Sequence, residues 1–407
     1  MGTEFLKIKE SAEAKKIIEE LFDKCYTEEF EEVSLGDALN RVLFQDVYSL
    51  IDYPTFDKAL KDGFAIKAED SYGINEENPK TLEVIDFLEA GSTSEKTVEK
   101  GKAIEISTGA ALPKGADGVI MVEFCEKNNS TVNILKSITP FAEVARKGSD
   151  MKESDLLLNK GDELNPGKIG VLLSQGFREI DVYKKPVLGV VSTGNELISQ
   201  GDNLEYGKVY DVNSNMIKNS AISVGAFSKS LGIIKDDYDA VKSKIESSLE
   251  EVDILICSGG TSAGLGDVLK HVLDEIGEVY IHGISVQPGK PTIVAVVNNK
   301  IVIGLPGNPV SAIVIFNVFV APYIAKLAGK PINFDKNIIK GKLSKRIHSP
   351  IGRMQYQLIR IKDDLVEPIF KDSGAIFSLS EADGYIKVLK NVELVDVGEE
   401  VEVYLFN

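Results

Sequence analysis

Apolar positions change their period along the chain, and each change marks a new kind of element. Over residues 4–45, Phe5, Ile8, Ala12, Ile17, Ile18, Leu21 and Phe22 recur at helical spacing, and Glu28–Ala38 reads as a turn into a second helix. From residue 46 short runs take over: Lys80–Leu88, Lys102–Ser107, Gly118–Phe124 and Thr131–Ile138 are predicted strands, in a block that ends near Phe141. Residues 145–184 mix strand and helix, with a helix predicted at Lys168–Ser174.

From residue 185 strand and helix alternate. The predicted strands are Val187–Ser192, Ser228–Ile234, Ile254–Cys257 and Val279–Val286, followed by a hairpin of Thr292–Val297 and Lys300–Ile303 across Asn298-Asn299. The helices between them are Asn213–Val224, with Asn213 or Ser214 as cap, then Tyr238–Glu251 and Asp267–Ile276. This is the pattern of a doubly wound sheet with ligands at strand C-termini. Residues 332–407 hold no convincing helix and read as a small β-barrel or sandwich. The fold class is therefore multidomain α/β. An N-terminal discontinuous α+β domain (1–45 plus 142–184) receives an inserted β-rich domain (46–141), then come a doubly wound domain (185–331) and a C-terminal β-barrel (332–407).

Composition narrows the function. A formal net charge of −17 argues against general affinity for nucleic acid or anionic membrane. The three cysteines lack CxxC spacing, which fits a reducing cytoplasm and excludes a cysteine zinc site; three scattered histidines exclude a His-based metal site. The apolar run Val310–Ala328 is interrupted by Ser311, Asn317 and Pro322 and reads as a buried helix rather than a membrane span.

The candidate chemistry lies in turns. Ile303–Ala312, IGLPGNPVSA, passes from strand through Gly304, Pro306 and Gly307 into an apolar helix; Asn308 is placed to cap it and Pro309 suits its first position. The free N–H groups and positive end of such a helix seat an anion. Ser258-Gly259-Gly260-Thr261-Ser262-Ala263-Gly264 is a second glycine-rich turn after an apolar strand, suited to phosphate or simply to positive φ. Asp267, just beyond, would repel a phosphate unless Mg²⁺ lies between them. Glu196 and Asp236 leave other strands on the same edge, and three converging carboxylates suit a hard cation, although each alone reads as a cap or a solvated charge. Lys290, between two prolines in Gln287–Pro291, presents a cation on a stiff backbone or is a plain surface lysine. In the β block, Phe56–Ala65 and Ser107–Ala110 place carboxylate and hydroxyl in turns that bind a ligand or close Asx and ST turns.

Taken in order, Asp62–Ala65, Ser107–Asp117, Arg146–Asp150, Ser192–Leu197, Ser258–Asp267, Gln287–Pro291 and Gly304–Pro309 resemble the molybdopterin molybdenumtransferase family over almost the whole chain. Ser373-Gly374 and Leu379–Gly384 are similar to the family's last motif. The resemblance implies a four-part subunit, a homodimer, and adenylylated molybdopterin and molybdate as substrates. With Mg²⁺ the adenylate bond is hydrolysed, AMP leaves, and molybdenum is bound by the dithiolene sulfurs. It implies catalytic roles for Asp62, Thr108, Glu196 and Asp267, and metal ligation by Glu196, Asp236 and Asp267. Substrate binding falls to Asp150, Ser258, Gly259, Gly260, Thr261, Ser262, Gly264, Lys290, Pro306, Gly307, Asn308 and Ser373.

Ala59, Lys61, Asn195, Gln287 and Leu358 depart from the family's usual residues. Gln287 and Leu358 remove cations, and Lys61 is placed to supply one back. Two other readings share these motifs: a non-catalytic molybdopterin-binding scaffold, and a divergent member that handles tungstate. A third takes only the doubly wound domain, as a pterin-adenylylating or nucleotide-processing enzyme, against which the N- and C-terminal motifs speak.

Overall fold

Successive side chains of a strand point to opposite faces, and between Val187 and Leu305 both faces are apolar. The computed structural model describes residues 8–259, 268–330 and 338–406. The chain forms two units: Met1–Glu32 with Arg41–Phe44 and Asp181–Asn407, and Val33–Asn40 with Gln45–Ile180.

In the first unit, six strands form a sheet in the order Phe227–Ile234, Val187–Thr193, Ile254–Ser258, Lys300–Leu305, Ile293–Val297, Glu278–His282. The first four are parallel; the last two run antiparallel to their neighbours. Leu188, Val190, Ile254, Ile256, Ile301 and Ile303 face one core, with Ile18 and Phe22 of the helix Ser11–Cys25 and Ile217 of Asn213–Ser223. Their neighbours Val191, Leu255, Cys257 and Val302 face the other, with Val241, Ile245 and Leu249 of Tyr238–Glu251 and Val272 of Val268–Ile276. Helices on both faces explain why these strands read as apolar runs.

The helical segment Pro309–Leu327 is long and apolar enough to cross a membrane, but 72% of it is buried inside the protein. Its Phe316 and Phe319 share one core with Tyr356, Leu358 and Tyr385 of the C-terminal strands. Those strands close on themselves in the order Met354–Lys362, Leu365–Pro368, Ile338–Leu343, Glu400–Leu405, Gly384–Val388 and back to Met354–Lys362, a five-stranded barrel. A short helix, Phe377–Glu381, breaks the all-β expectation for this region.

The second unit is built on a sheet ordered Gly118–Met121, Gly63–Ile66, Lys102–Ile106, Lys80–Leu88, Thr131–Ile134, Cys125–Asn128. Only Lys80–Leu88 and Lys102–Ile106 pair in parallel. A predicted helix also appears there, as Pro166–Ser174 with Asn165 accepting from the Lys168 N–H.

Three local expectations are corrected. Glu28–Ala38 does not enter a second helix: Phe30–Ser34 is a strand, followed by a single 3₁₀ turn, Leu35–Asp37. Its half-buried positions alternate, and Glu31 turns inward because the buried Arg41 pairs with it at 2.6 Å. Val279–Val286 is not one strand. The chain leaves the central sheet after His282 through Gly283 (φ +105), and Val286–Gln287 joins the barrel beside Met354–Gln355. Helix Asn213–Ser223 is not capped by Asn213 or Ser214; the buried Asp211 carboxylate accepts from the Ser214 N–H at 3.1 Å.

Candidate active site

Four parallel strands bring four turns to one edge of the central sheet. Register places Ser192, Ser258 and Leu305 in a row, and Thr193 beside Ile234. Beyond that row lie Gly194–Glu196, Asp236, Gly259 and Pro306–Asn308. At Gly259 (φ +104) a Cβ would stand 2.2 Å from the Thr193 carbonyl oxygen, so only glycine lets the two strand ends approach. Gly260, Thr261, Ser262, Gly264 and Asp267 lie outside the described residues.

Asn213 ties two of these turns together. Its Nδ2 donates to the Ser258 hydroxyl at 2.9 Å and to the Gly307 carbonyl at 2.7 Å. A carbonyl only accepts, so Nδ2 must face Gly307. That leaves Oδ1 buried without a partner among the described residues, as is the Thr193 hydroxyl. The buried Ser192 hydroxyl donates to Asp211 at 2.9 Å. The sequence marks Asn213 only as a helix cap and gives no role to Asp211; Asp-x-Asn at the start of a helix after a strand edge is the signal that joins them to the site.

Glu196 and Asp236 come together. The Asp236 carboxyl is held above its ordinary value, first by desolvation and then by the Glu196 charge, although the Asn195 N–H opposes this by donating to it. The Glu196 carboxylate folds back over Gly194, where a Cβ would stand 2.7 Å from its Oε1. Among the described residues no lysine or arginine pairs with either carboxylate and no group of three acidic, His or Cys ligands forms. The pair fits a hard cation with oxygen ligands; the expected third carboxylate, Asp267, is outside the described residues.

Lys290, Pro306, Asn308 and Ser373 line one cleft of about 430 Å³, which Arg353 and Gln355 also line. Glu196 and Asp236 are not in its lining. The Lys290 turn is fixed by Gly289 (φ +104), packed so closely on Ile315 that a Cβ would approach its side chain to 2.3 Å. Asn308 does not cap its helix with its side chain, contrary to expectation: its Nδ2 donates to the Ser373 hydroxyl at 3.0 Å. The Val310 N–H donates to the Ser373 carbonyl at 3.1 Å, so one of the first-turn donors expected to seat an anion is already used.

In the second unit, Asp62 and Thr108 meet. The Thr108 N–H and hydroxyl both donate to Asp62 Oδ1, at 2.7 and 2.8 Å, and hold this exposed carboxyl below its usual range, the N–H foremost. Asp150 lies in an exposed turn whose N–H donates to the Tyr53 carbonyl at 3.1 Å. Asp57 secures the same turn by accepting from the Lys147 N–H at 2.7 Å.

Comparison with known proteins agrees along the chain. Residues 9–176 match the MoeA N-terminal region (domain I and II), 189–326 a probable molybdopterin binding domain, and 340–406 the MoeA C-terminal region (domain IV). The chain is 35% identical to a putative molybdopterin biosynthesis protein of Methanocaldococcus jannaschii, with 96% of each chain covered. It is 34% identical to the molybdopterin molybdenumtransferase of Staphylococcus epidermidis, over 92% of this chain and 90% of that one. The crystal structure of a molybdopterin biosynthesis MoeA protein from Pyrococcus horikoshii superposes with a TM-score of 0.86 at 36% identity, covering 98% of this chain and all of that one. Both the strand-edge turns and the closed barrel fall within these matches, and the chain belongs to the molybdopterin molybdenumtransferase family of enzymes.

Proposed function

We propose that this enzyme inserts molybdenum from molybdate into adenylylated molybdopterin, with Mg²⁺-dependent release of AMP. Molybdenum insertion into molybdopterin follows from family membership. The observation that carries the finer reading is the Glu196–Asp236 pair, two mutually repelling carboxylates on the edge where the Ser258 and Gly307 turns end.

Glu196 and Asp236, with Asp267, would hold the Mg²⁺. Bound there, the ion supplies neutralisation of phosphate oxygens and of the departing AMP. Backbone N–H groups of the Ser258–Gly264 turn grip the rest of the anion, which lets a chain of net charge −17 bind it without a basic patch. Asn213 keeps that turn and the Gly307 turn at a fixed spacing. Lys290, Asn308 and Ser373 receive the oxyanion in their cleft. Asp62, ionised by its two Thr108 donors, serves as a standing acceptor rather than a proton donor; Asp150 contributes a second exposed carboxylate to substrate binding.

The enzyme works as a homodimer in the cytoplasm. Tyr48 and Leu156 face each other across a strand pair yet stay 51% and 50% exposed, and Leu173 is 58% exposed, an apolar surface that a second copy would cover. The three free cysteines fit a reducing compartment.

The test is AMP release from adenylylated molybdopterin with Mg²⁺ and molybdate. Glu196→Gln and Asp236→Asn should keep the wild-type circular dichroism spectrum and lose Mg²⁺-dependent release. Unchanged release by both variants removes the metal site.

A further inference from the structure

We propose that Arg353 is a second binding cation of the Lys290 cleft, gripping the oxyanion substrate as a fork opposite the lysine; this rests on the reading of that cleft given above. The backbone puts it there. Arg353 immediately precedes the barrel strand Met354–Lys362, whose first two residues pair in parallel with Val286 and Gln287. The Met354 N–H also donates to the Ser285 carbonyl at 3.2 Å. Arg353 is thereby tied beside the strand that runs directly into the Lys290 turn, and both line the cleft.

The charge balance of the lining favours an anion. Among the described residues, neither the Lys290 nor the Arg353 side chain has an ion-pair or hydrogen-bond partner. Lys371, a third cation of the lining, is already held by Glu381 at 2.6 Å, and Asp372 is the one carboxylate there. In a chain with 63 acidic and 46 basic residues, partners for surface cations abound. The barrel's other arginines have found them: Arg346 pairs with Asp396 at 2.8 Å, and Arg360 with Glu367 at 2.7 Å and Glu381 at 3.2 Å. Arg353, with no such partner among the described residues, is open to a ligand in the cleft. Gln287 and the buried Leu358, in the same lining, offer no charge.

A buried acceptor points the same way. Gln357 Nε2 donates to the carbonyls of Leu358 and Ile369, at 3.1 and 2.7 Å, which turns its Oε1 toward Gln355. Gln355 Nε2 donates to that oxygen at 2.9 Å. The amide is therefore oriented, and Gln355 Oε1 is a fixed acceptor, without a partner in a residue only 8% exposed. Gln355 stands two residues from Arg353, and both line the cleft. A guanidinium has donors on more than one edge. Drawn inward by an anion, Arg353 can give one edge to the oxyanion and another to this oxygen, which lysine cannot reproduce.

The experiment uses the full chain and molybdate as probe. Wild type, Arg353→Gln, Arg353→Lys and, as a charge control on the same barrel, Arg346→Gln are titrated with molybdate by calorimetry, and AMP release is followed against molybdate concentration. Loss of a charge-assisted fork predicts molybdate binding weakened roughly 10- to 100-fold in Arg353→Gln. KM for molybdate should rise in step while kcat at saturation is retained; Arg353→Lys recovers part of the loss, and Arg346→Gln matches wild type. Arg353→Gln within twofold of wild type overturns the proposal. Wild-type protein that binds no molybdate overturns the reading of the cleft itself, and the proposal with it.

Discussion

Replacing Asn213 probes how the two anion-suited turns are held in register. Asn213→Ala removes two buried hydrogen bonds, to Ser258 and Gly307. Each contributes about 1 kcal/mol net, and the stranded Gly307 carbonyl adds a penalty of about 1–3 kcal/mol. Against this, the variant also removes Oδ1, a buried acceptor with no partner among the described residues, which recovers a penalty of the same order. The expected loss is therefore about 2 kcal/mol. Asn213→Asp keeps the shape and reverses the chemistry. An oxygen replaces Nδ2 opposite the Gly307 carbonyl, and a carboxylate enters a site only 7% exposed with no cation paired to it. Its cost should exceed that of the alanine variant, at about 3–5 kcal/mol. Because the chain has more than one unit, a single unfolding free energy is the wrong readout. Hydrogen exchange followed by mass spectrometry on peptides covering 254–259 and 300–308 reads the local effect. Protection should fall about 30-fold for alanine and at least 100-fold for aspartate, at about 1.4 kcal/mol per factor of ten. Equal protection in both variants, or wild-type protection in the aspartate variant, refutes the argument, since a solvated Asn213 tolerates either change.

Thr108→Ala removes the hydroxyl donor from Asp62 and keeps the N–H, so the Asp62 carboxyl should titrate higher than in wild type, measured by carbon NMR of the carboxyl. A depressed carboxyl stabilises the fold above the unfolded value of about 3.9 and loses that contribution as pH falls through the folded value; wild type and variant should thus differ at neutral pH and converge in acid, and a gap that persists at low pH contradicts the assignment. Leu156→Glu with Leu173→Glu places charge on the exposed apolar surface of the second unit and should convert a dimer to a monomer in light scattering, with circular dichroism unchanged; a dimer that survives both changes puts the contact elsewhere.

What could be read from residues alone was what neighbours in sequence decide. The alternation of Leu188 and Val190 with Val191 is visible as an unbroken apolar run, and Asn298-Asn299, both at positive φ, mark their hairpin. The strand-edge turns were legible because glycine leaves a trace where two backbones crowd, as at Gly259 against Thr193. What escaped was settled by distant partners. Phe30–Ser34 looks helical until Arg41 draws Glu31 inward. Asn308 looks like a cap until Ser373, 65 residues on, takes its amide. Asn213 looks like a cap until Ser258 and Gly307 claim it. Polar side chains choose among partners by geometry that no local window contains, and two of those misjudged here, Asn213 and Asn308, stand at the candidate site.

The segment carrying Lys290 belongs to two sheets at once. It leaves the central sheet at His282, pairs with the barrel at Val286–Gln287, and returns to the central sheet at Ile293. The Ser258-Gly259 turn hangs from the central sheet, whereas the Gly307–Asn308 turn is also tied to Ser373. Under the proposed function, a change at the barrel strand Met354–Lys362 therefore reaches the Lys290 cleft without passing through the Glu196–Asp236 pair. On that reading, drift at one barrel strand is a route to retuning which oxyanion the Lys290 cleft accepts.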